Sequence, residues 1–575
     1  MEPDEGRNAE VAREMLASGD WVTPHFDTFP YLDKPPVFFW MVAGSLGVFG
    51  VSEWAARLPS ALSALALVLL TGWLAWRMLG GRAGLGAGWI VATCPLAIVF
   101  SHMVIFDMTL ACLVTLAMVC FWRAEASDFK RPALDAVIFT AMGAATLTKG
   151  PVGFLLPILS WVAYGAVRRR LGELKRLRWG MGILIFLAIC LPWFITVSVR
   201  HPDFPRYAFW QESLKRFATG TAHRQGGLFY YLPVYLAGFF PWSLFLLFAG
   251  LSRVRRWRAL KEESQKPVVY LLCWALVTFT FFSLSQSKLP GYILPAIPPL
   301  AILTALVWGE ARPAGSRAPD WLTAGFAAFL AMGLFLAVGS QPWVLAATKL
   351  RWARKLHPAL SIWVKPSLLY GGLILIALAI LGRNLAARLR GTRHLAAATF
   401  LLAALTVPIL VVRWWGPIDA YAETHSSRRL AETLLASPEK DLPLCGYYYF
   451  RTSLPFYLRR PVALLTEGGS ELTSNYIDSR LAAWPRATAP GGSEASAGPT
   501  SRGRRDLPGL RQIDPGVALF LNWRELRDAT RSSPQPWVLL VRNDHVGELE
   551  KVVGAMDPLW NEWEYSVWKT LPGSK

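Results

Sequence analysis

The hydrophobic positions of this chain fall in long, nearly unbroken runs, without the strict alternation of a half-buried strand or the narrow apolar stripe of a soluble surface helix. Runs close to the roughly 20 residues that cross a bilayer core as a helix recur about twelve times. Their approximate limits are 58–77, 85–103, 107–123, 134–148, 151–167, 178–199, 229–250, 267–286, 292–309, 320–340, 366–383 and 395–413, some of them short and broken by Gly or Pro. The polar residues between the runs are unevenly charged. Arg77 and Arg82 follow the first run, Arg123, Lys130 and Arg131 the third, and Arg168, Arg169, Arg170, Lys175, Arg176 and Arg178 the fifth. The stretch from Arg253 to Lys266, the pair Arg312 and Arg317, and the stretch from Arg383 to Arg393 continue the series. Every second loop is basic, which is the mark of cytoplasmic loops in a multi-span membrane protein. The short loops in between, 101–107, 148–151 and 285–292, hold only Lys149 and Lys288 as cations. Residues 1–57, 200–228, 341–365 and everything after about 414 are therefore expected on the extracytoplasmic side.

That topology leaves a conflict at the start. A polar segment of some 57 residues precedes the first run with no signal peptide or earlier apolar run to export it. The expectation is that a transmembrane helix is missing upstream, through a start codon placed too late; the alternative is export driven by the first span itself. After Trp414 the pattern changes again. Segments 442–450, 462–466, 517–522 and 537–542 read as buried strands, and 426–437 and 545–556 as helices between them. The alternation predicts a small α/β domain with a partly parallel sheet, interrupted by a Pro-, Gly-, Ser-, Ala- and Arg-rich insertion at 485–507. No nucleotide-binding glycine loop opens its helices, so a supporting or docking role is expected. The predicted division is an extracytoplasmic juxtamembrane segment at 1–57, an α-helical polytopic membrane domain at 58–413 and a soluble extracytoplasmic α/β domain at 414–575.

Composition narrows the class. Of 575 residues 53% are hydrophobic and 17% charged, with 27 Trp and 31 Phe, which excludes disorder, a disulfide framework and a plain cytosolic fold. A net charge of +20 would suggest nucleic acid in a soluble protein, but here the cations sit in the loops between apolar runs, and no nucleic-acid partner is implied. The six cysteines form no CxxC and all but Cys445 lie in apolar runs, so they read as packing residues and not as a metal cluster.

An ionisable group at membrane depth costs roughly 2.5–3.5 kcal/mol or more, so those on the non-basic side need a reason. The N-terminal segment supplies Asp4, Glu5, Arg7, Glu10, Asp33 and Lys34; the short loops supply Asp107, Lys149 and Lys288; the 200–228 loop supplies Arg206, Glu212, Lys215, Arg216, His223 and Arg224. Singly, each has an ordinary account: Asp4, Glu5 and Asp107 as helix N-terminal caps, Lys34 as part of a solvated turn before two prolines, Lys149 as a C-terminal dipole partner before Gly150. Together, with Tyr31, Phe38, Trp40, Trp210, Tyr230, Tyr231, Trp242 and Tyr292 nearby in the pattern, they suit a lipid that carries a phosphate: cations for the phosphate, apolar grooves for the tail, carboxylates for hydroxyl groups.

The order of these motifs resembles polyprenyl-phosphate-dependent GT-C glycosyltransferases, above all the bacterial lipid A aminoarabinose transferases and the dolichyl- and undecaprenyl-phosphate mannosyltransferases. The likeness runs from Asp4-Glu5-Gly6-Arg7-Asn8-Ala9-Glu10 through Tyr31-Leu32-Asp33-Lys34-Pro35-Pro36 and Ala56-Arg57-Leu58-Pro59-Ser60 to Phe106-Asp107 and Leu147-Thr148-Lys149-Gly150-Pro151. It continues in Leu191-Pro192-Trp193, Arg216-Phe217, His223-Arg224, Pro241-Trp242, the run from Ser287 to Pro295, and Leu454-Pro455-Phe456-Tyr457-Leu458 with Arg460. Two departures stand out: about twelve spans where the family has about thirteen, and Gln211-Glu212-Ser213 where the family often has a Glu-His pair.

The resemblance implies an inverting transfer of a sugar from a polyprenyl (undecaprenyl) phosphate donor to an envelope acceptor, lipid A, another glycolipid or a protein, in a bacterial inner membrane with the site facing outward. Asp4, Glu5, Asp33 and Asp107 are the expected catalytic carboxylates. Lys34 and Arg216, then Arg7, Lys149 and Lys288, are expected to hold the phosphate, and Tyr292 the donor head group. No soluble nucleotide cofactor is implied; a divalent metal ion stays an open option, with Asp33 and His223 as its candidate ligands. The competing class, a transporter or flippase of lipid-linked sugars, predicts charges in mid-span and an internal repeat; the sequence places the charges at one face and shows no repeat.

Overall fold

In the computed structural model the described residues are 4–208, 226–253, 265–309, 320–339, 358–389, 395–466, 470–482, 519–520, 523–562 and 564–571. The insertion at 485–507 and the candidates Arg216 and His223 lie outside them. The chain divides into two compact units, one of Met1–Ala56, Trp193–Trp210 and Ala422–Lys575, the other of Arg57–Pro192 and Gln211–Tyr421.

The first unit begins with α1 (Asp4–Ser18), whose polar residues are as buried as its apolar ones: Glu5, Arg7, Glu10 and Glu14 are enclosed along with Val11, Ala12 and Met15. A two-residue turn, Asp27-Thr28, joins β1 (His25–Phe26) to β2 (Phe29–Pro30), and both turn residues have positive φ, 50° and 71°. Two non-glycine residues in the left-handed region need support. Asp27 Oδ1 accepts the Val462 N–H at 2.8 Å, and the Thr28 N–H donates to Glu14 Oε2 at 3.0 Å. Helix α2 (Val37–Phe49) follows the two prolines.

The remainder of this unit is built on a six-stranded sheet in the order β5-β4-β3-β6-β8-β7. Strands β3 (Leu444–Tyr447), β4 (Ala463–Leu465), β5 (Leu519–Phe520) and β6 (Val538–Arg542) run parallel, while β8 (Tyr565–Thr570) adds antiparallel to β6 and β7 (Met556–Asn561) antiparallel to β8. Both faces of the parallel part are covered, as such sheets require. Leu430, Leu434, Leu454 and Leu458 pack on Leu444, Val538 and Leu540 on one face; Leu526, Leu549 and Val553 pack on Cys445, Leu539 and Val541 on the other. Strand β7 is absent from the pattern-based reading because, largely exposed and containing Pro558, it carries no buried run.

The second unit is helical. Along the whole described chain, helices long and apolar enough to cross a membrane are Glu53–Leu79 (α3), Phe106–Ala126 (α6), Trp179–Arg200 (α9), Lys266–Leu284, Pro290–Trp308 and Pro366–Arg388, six among the described residues, or up to eight if two bent pairs each form one span; the first turn of α3 and the last turns of α9 belong to the first unit. The bent pairs correct two expected straight spans. The run at 85–103 is α4 (Gly81–Ala92) and α5 (Pro95–Ser101) meeting at 62°, because Pro95 has no N–H to continue the helix. The run at 229–250 is Tyr231–Gly238 and a helix from Trp242, meeting at 115° around Phe239-Phe240-Pro241. Helices α7 (Pro132–Lys149) and α8 (Val152–Val167) are joined by Gly150 at φ 83° and Pro151. The core here is aromatic: Trp242 and Phe245 pack edge-on against Trp308, and Phe121 stacks on Trp161 at 4.5 Å.

Candidate functional site

Each unit carries one cluster of the expected residues. In the helical unit, Asp107 opens α6 in its first turn and Lys149 ends α7. Both ordinary accounts given to these residues fit the helix ends, yet the side chains do more, for Lys149 Nζ lies 2.5 Å from Asp107 Oδ1 with both groups largely buried. The same ammonium sits 4.2 Å from the centroid of the Tyr292 ring, so charge and π-face hold it together. The Pro290-Gly291-Tyr292 turn is pressed against this pair. A Cβ on Gly291 would come within 2.8 Å of Asp107 Oδ1 and 2.5 Å of the Phe100 ring, so only glycine lets the loop approach.

Lys288, three residues earlier, is held differently. Its Nζ donates to the carbonyls of Phe282, Ser283 and Ser285 at 3.3, 2.7 and 2.6 Å, which closes the C-terminus of Lys266–Leu284. Burial disfavours its charged form and lowers its pKa. Three carbonyl acceptors use its three donors, so the geometry gives Lys288 a capping role in place of the expected phosphate contact.

In the sheet-bearing unit, Arg7 is the centre. Its Nη2 donates to Asp4 Oδ1 at 2.6 Å, one helical turn back; its Nη1 donates to the Thr473 carbonyl at 2.8 Å and Oγ1 at 2.5 Å; and Tyr31 lies against it, 5.4 Å from ring centroid to guanidinium carbon. Burial works against this charge, but Tyr31, Asp4 and Asp33 outweigh it and hold the guanidinium protonated. Glu5 is buried in the same turn. Gly6, between the motif's charged residues, has a reason the sequence did not give: a Cβ there would meet Ser453 Cβ at 2.4 Å, so α1 rides directly on the start of helix Leu454–Leu458.

Asp33 is fully engaged. Tyr207 Oη donates to its Oδ1 at 2.5 Å, and the N–H groups of Tyr476 and Asn475 donate at 2.8 and 3.0 Å to Oδ1 and Oδ2. It thereby caps the N-terminus of helix Asn475–Ala482, the favoured place for a carboxylate. Those partners leave Asp33 a poor metal ligand, and no group of three or more His, Cys, Asp or Glu side chains among the described residues is placed to hold a metal ion. Lys34 Nζ donates to the Asp33 carbonyl at 2.8 Å. Sequence reasoning missed Asp478, on the helix that Asp33 caps. Burial first, then the charges of Asp33 and Glu471, push its carboxyl up to about 6. Nothing in the local pattern marks it, because its environment is made by Asp33, far away in the chain.

The structure therefore brings Asp107, Lys149 and Tyr292 into one cluster and Asp4, Glu5, Arg7, Asp33 and Lys34 into one segment of the other unit. The sequence model of the dolichyl-phosphate-mannose-protein mannosyltransferase family matches residues 2–208. An undecaprenyl phosphate-alpha-4-amino-4-deoxy-L-arabinose arabinosyl transferase of Erwinia tasmaniensis is 35% identical over 351 residues, 60% of this chain and 62% of that protein. The equivalent transferase of Pseudomonas aeruginosa is 36% identical over 305 residues, 52% of this chain and 54% of that protein. The crystal structure of ArnT from Cupriavidus metallidurans bound to undecaprenyl phosphate is similar with a TM-score of 0.75 at 27% identity, covering 100% of this chain and 94% of that one. The chain is thus similar to these transferases in sequence over about half its length and similar in fold to the ArnT structure throughout. It spans between half and two thirds of the length of the curated relatives it matches, and its apolar helices together with that similarity indicate a multi-pass bacterial membrane protein.

Proposed function

We propose that the protein is an inverting glycosyltransferase that takes a sugar from a polyprenyl phosphate and passes it to an envelope acceptor, working on the extracytoplasmic face of the bacterial inner membrane. The observation that carries this is the match along the whole chain to a transferase structure holding undecaprenyl phosphate, and the two groups of cations and carboxylates give it a chemical content. In the reaction the acceptor oxygen forms a bond to the anomeric carbon while the bond from that carbon to the phosphate oxygen breaks, with the electron pair leaving on the phosphate. Preorganised cations stabilise that departing charge most. Lys34 and Arg216 are assigned to it, with Arg7 and Lys149 behind them; Lys149 is fixed for the purpose by Asp107 and Tyr292. Asp4 accepts the proton of a hydroxyl acceptor, or orients the acceptor if that is a lipid phosphate. Asp33 works as a positioning residue that joins the Lys34 loop to helix Asn475–Ala482. No step is routed through a metal ion.

The same reading takes the membrane domain to have twelve spans. To the six long helices and two bent pairs it adds α7, α8, Leu322–Ala337 and Ala397–Arg413, which are shorter or less apolar. It also takes the sheet of residues after 414 as an extracytoplasmic domain. The test is transfer from a polyprenyl-linked sugar in membranes carrying Asp4→Asn, Lys34→Ala or Arg216→Ala. Each is expected to lose at least tenfold in turnover at unchanged protein level; near-normal turnover in all three removes the site assignment.

A further inference from the structure

The helical unit holds a second feature that the proposed chemistry does not use. Between α3 and α4 runs an apolar groove of about 950 Å³, walled by Trp73, Trp76, Trp89, Leu69 and Leu85. Its floor is glycine. Gly72, Gly84 and Gly88 bring the two backbones so close that a Cβ on Gly84 would stand 2.8 Å from the Gly72 carbonyl and 2.7 Å from Trp76 Cβ. The walls are open to the surroundings: Leu85 is 73% exposed, Leu69 62%, Trp89 58% and Trp76 55%. Among the described residues no neighbouring side chain fills this space, although α3 is a candidate membrane span.

One end of the groove is positively charged. Val119 lines it, and one turn further along α6 the guanidinium of Arg123 lies 5.5 Å from the centroid of the Trp73 ring, itself a groove wall. Arg123 feels the like charges of Arg77 and Arg131, and Arg77 directly follows Trp76. Among the described residues, the nearby carboxylates are committed elsewhere: Glu125 to Lys266 at 3.1 Å, Asp128 to Arg176 at 2.5 Å, and Asp135 to Arg178 at 2.8 Å. Among the described residues Arg77, Arg123 and Arg131 thus form a like-charge group with no carboxylate of its own. The Arg123 guanidinium at the Trp73 wall, with the like charges of Arg77 and Arg131 acting on it, makes this end complementary to an anionic head on a hydrocarbon chain. The place is not the candidate catalytic one. Asp107 and Arg123 are at opposite ends of α6, sixteen residues or roughly 24 Å apart along its axis, close to the thickness of a bilayer core.

We propose that this groove is a binding site for an anionic phospholipid of the leaflet opposite the Asp107–Lys149 cluster, its acyl chain lying over Gly72, Gly84 and Gly88 and its phosphate on Arg77, Arg123 and Arg131. The site is independent of the transfer chemistry and is tested without it. The full chain, purified in detergent, is titrated with phosphatidylglycerol or phosphatidylcholine of identical acyl chains, and bound lipid is counted by native mass spectrometry alongside the shift in thermal unfolding. Phosphatidylglycerol is expected to bind at least tenfold more tightly than phosphatidylcholine and to raise the unfolding temperature. Combined Arg77→Gln, Arg123→Gln and Arg131→Gln should abolish that preference. Gly88→Leu fills the groove from a position where a Cβ has only ordinary contacts, and should lower retention of both lipids with the arginines intact; it also serves if the triple variant fails to fold. Equal affinity for the two lipids overturns the proposal, as does unchanged phosphatidylglycerol binding in Gly88→Leu. Displacement of phosphatidylglycerol by undecaprenyl phosphate at equal concentration overturns it too, since the groove would then be a donor-tail site, as would recovery of a partner's transmembrane helix cross-linked at Trp89 in place of lipid.

Discussion

At the scale of the residue, Asp107 and Lys149 show how a pair can be built from two parts that each have another explanation. Both were singled out in the sequence as charges at a costly depth, but their pairing across 42 positions belongs to the fold alone. Removing one member leaves the other buried and uncompensated, a cost of about 3–5 kcal/mol, whereas replacing both with apolar residues of similar volume is often neutral. Asp107→Leu and Lys149→Leu are each expected to lower the unfolding temperature in detergent, while the double variant recovers most of it yet does not recover transfer. Recovery of activity along with stability would show the pair to be structural only. Gly291→Ala should mimic the single losses, because its Cβ would press on Asp107 Oδ1. Lys288 and Asp33 mark the limit of reading charge from sequence, since type and depth were legible but the carbonyls and N–H groups that engage them were not.

Elements were legible where the apolar pattern is long or strictly buried. The parallel strands β3, β4 and β6 fall inside the stretches 442–450, 462–466 and 537–542 because both faces of each are covered. The bends at Pro95 and at Phe240-Pro241 were not, since hydropathy measures how apolar a run is and says nothing of its direction. Helix α1 was marked by its motif, yet its tight seat was hidden, because Gly6 meets a residue far along the chain. Gly6→Ala is expected to cost roughly 1–3 kcal/mol by overpacking against Ser453, read as a lower unfolding midpoint, and Gly6→Val more. The same unit has a pH signature. Burial, then the charges of Glu10 and Asp27, raises the Glu14 carboxyl well above its usual value; burial likewise raises Asp27; and Asp478 sits at about 6. Raised carboxyls bind more protons in the folded state, so their contribution is complete below about pH 4 and is lost as pH climbs through the folded values. Between pH 4.5 and 8 the unfolding temperature should fall, and Asp478→Asn should remove the part of that fall centred near pH 6. An unchanged slope in the variant would assign the effect elsewhere.

For the whole molecule, hydropathy and the alternation of basic loops gave the membrane class, while the grouping of distant segments into one unit could not be read, because no local pattern records a partner hundreds of residues away. Sidedness is open to direct measurement. Cys94, Cys120, Cys190, Cys273 and Cys445 are buried and Cys112 is half-buried, so the background for thiol labelling is low. A membrane-impermeant maleimide applied to spheroplasts is expected to label Glu550→Cys, on an exposed helix of the sheet-bearing unit, and to leave Gly172→Cys in the basic loop unlabelled until the membrane is opened. The reverse pattern would invert the proposed topology.

The order of synthesis adds a consequence. The hairpin at Asp27 is held by Val462, 435 positions later, and at about 5–20 residues per second the ribosome needs roughly 20–90 s to supply that partner. Through that interval the first segment emerges with Glu10, Glu14 and Asp27 still hydrated and ionised. Its burial is thus among the last events of biogenesis, and a nascent polypeptide cut short anywhere before the sheet would display those carboxylates to the proteases that clear unfinished envelope proteins.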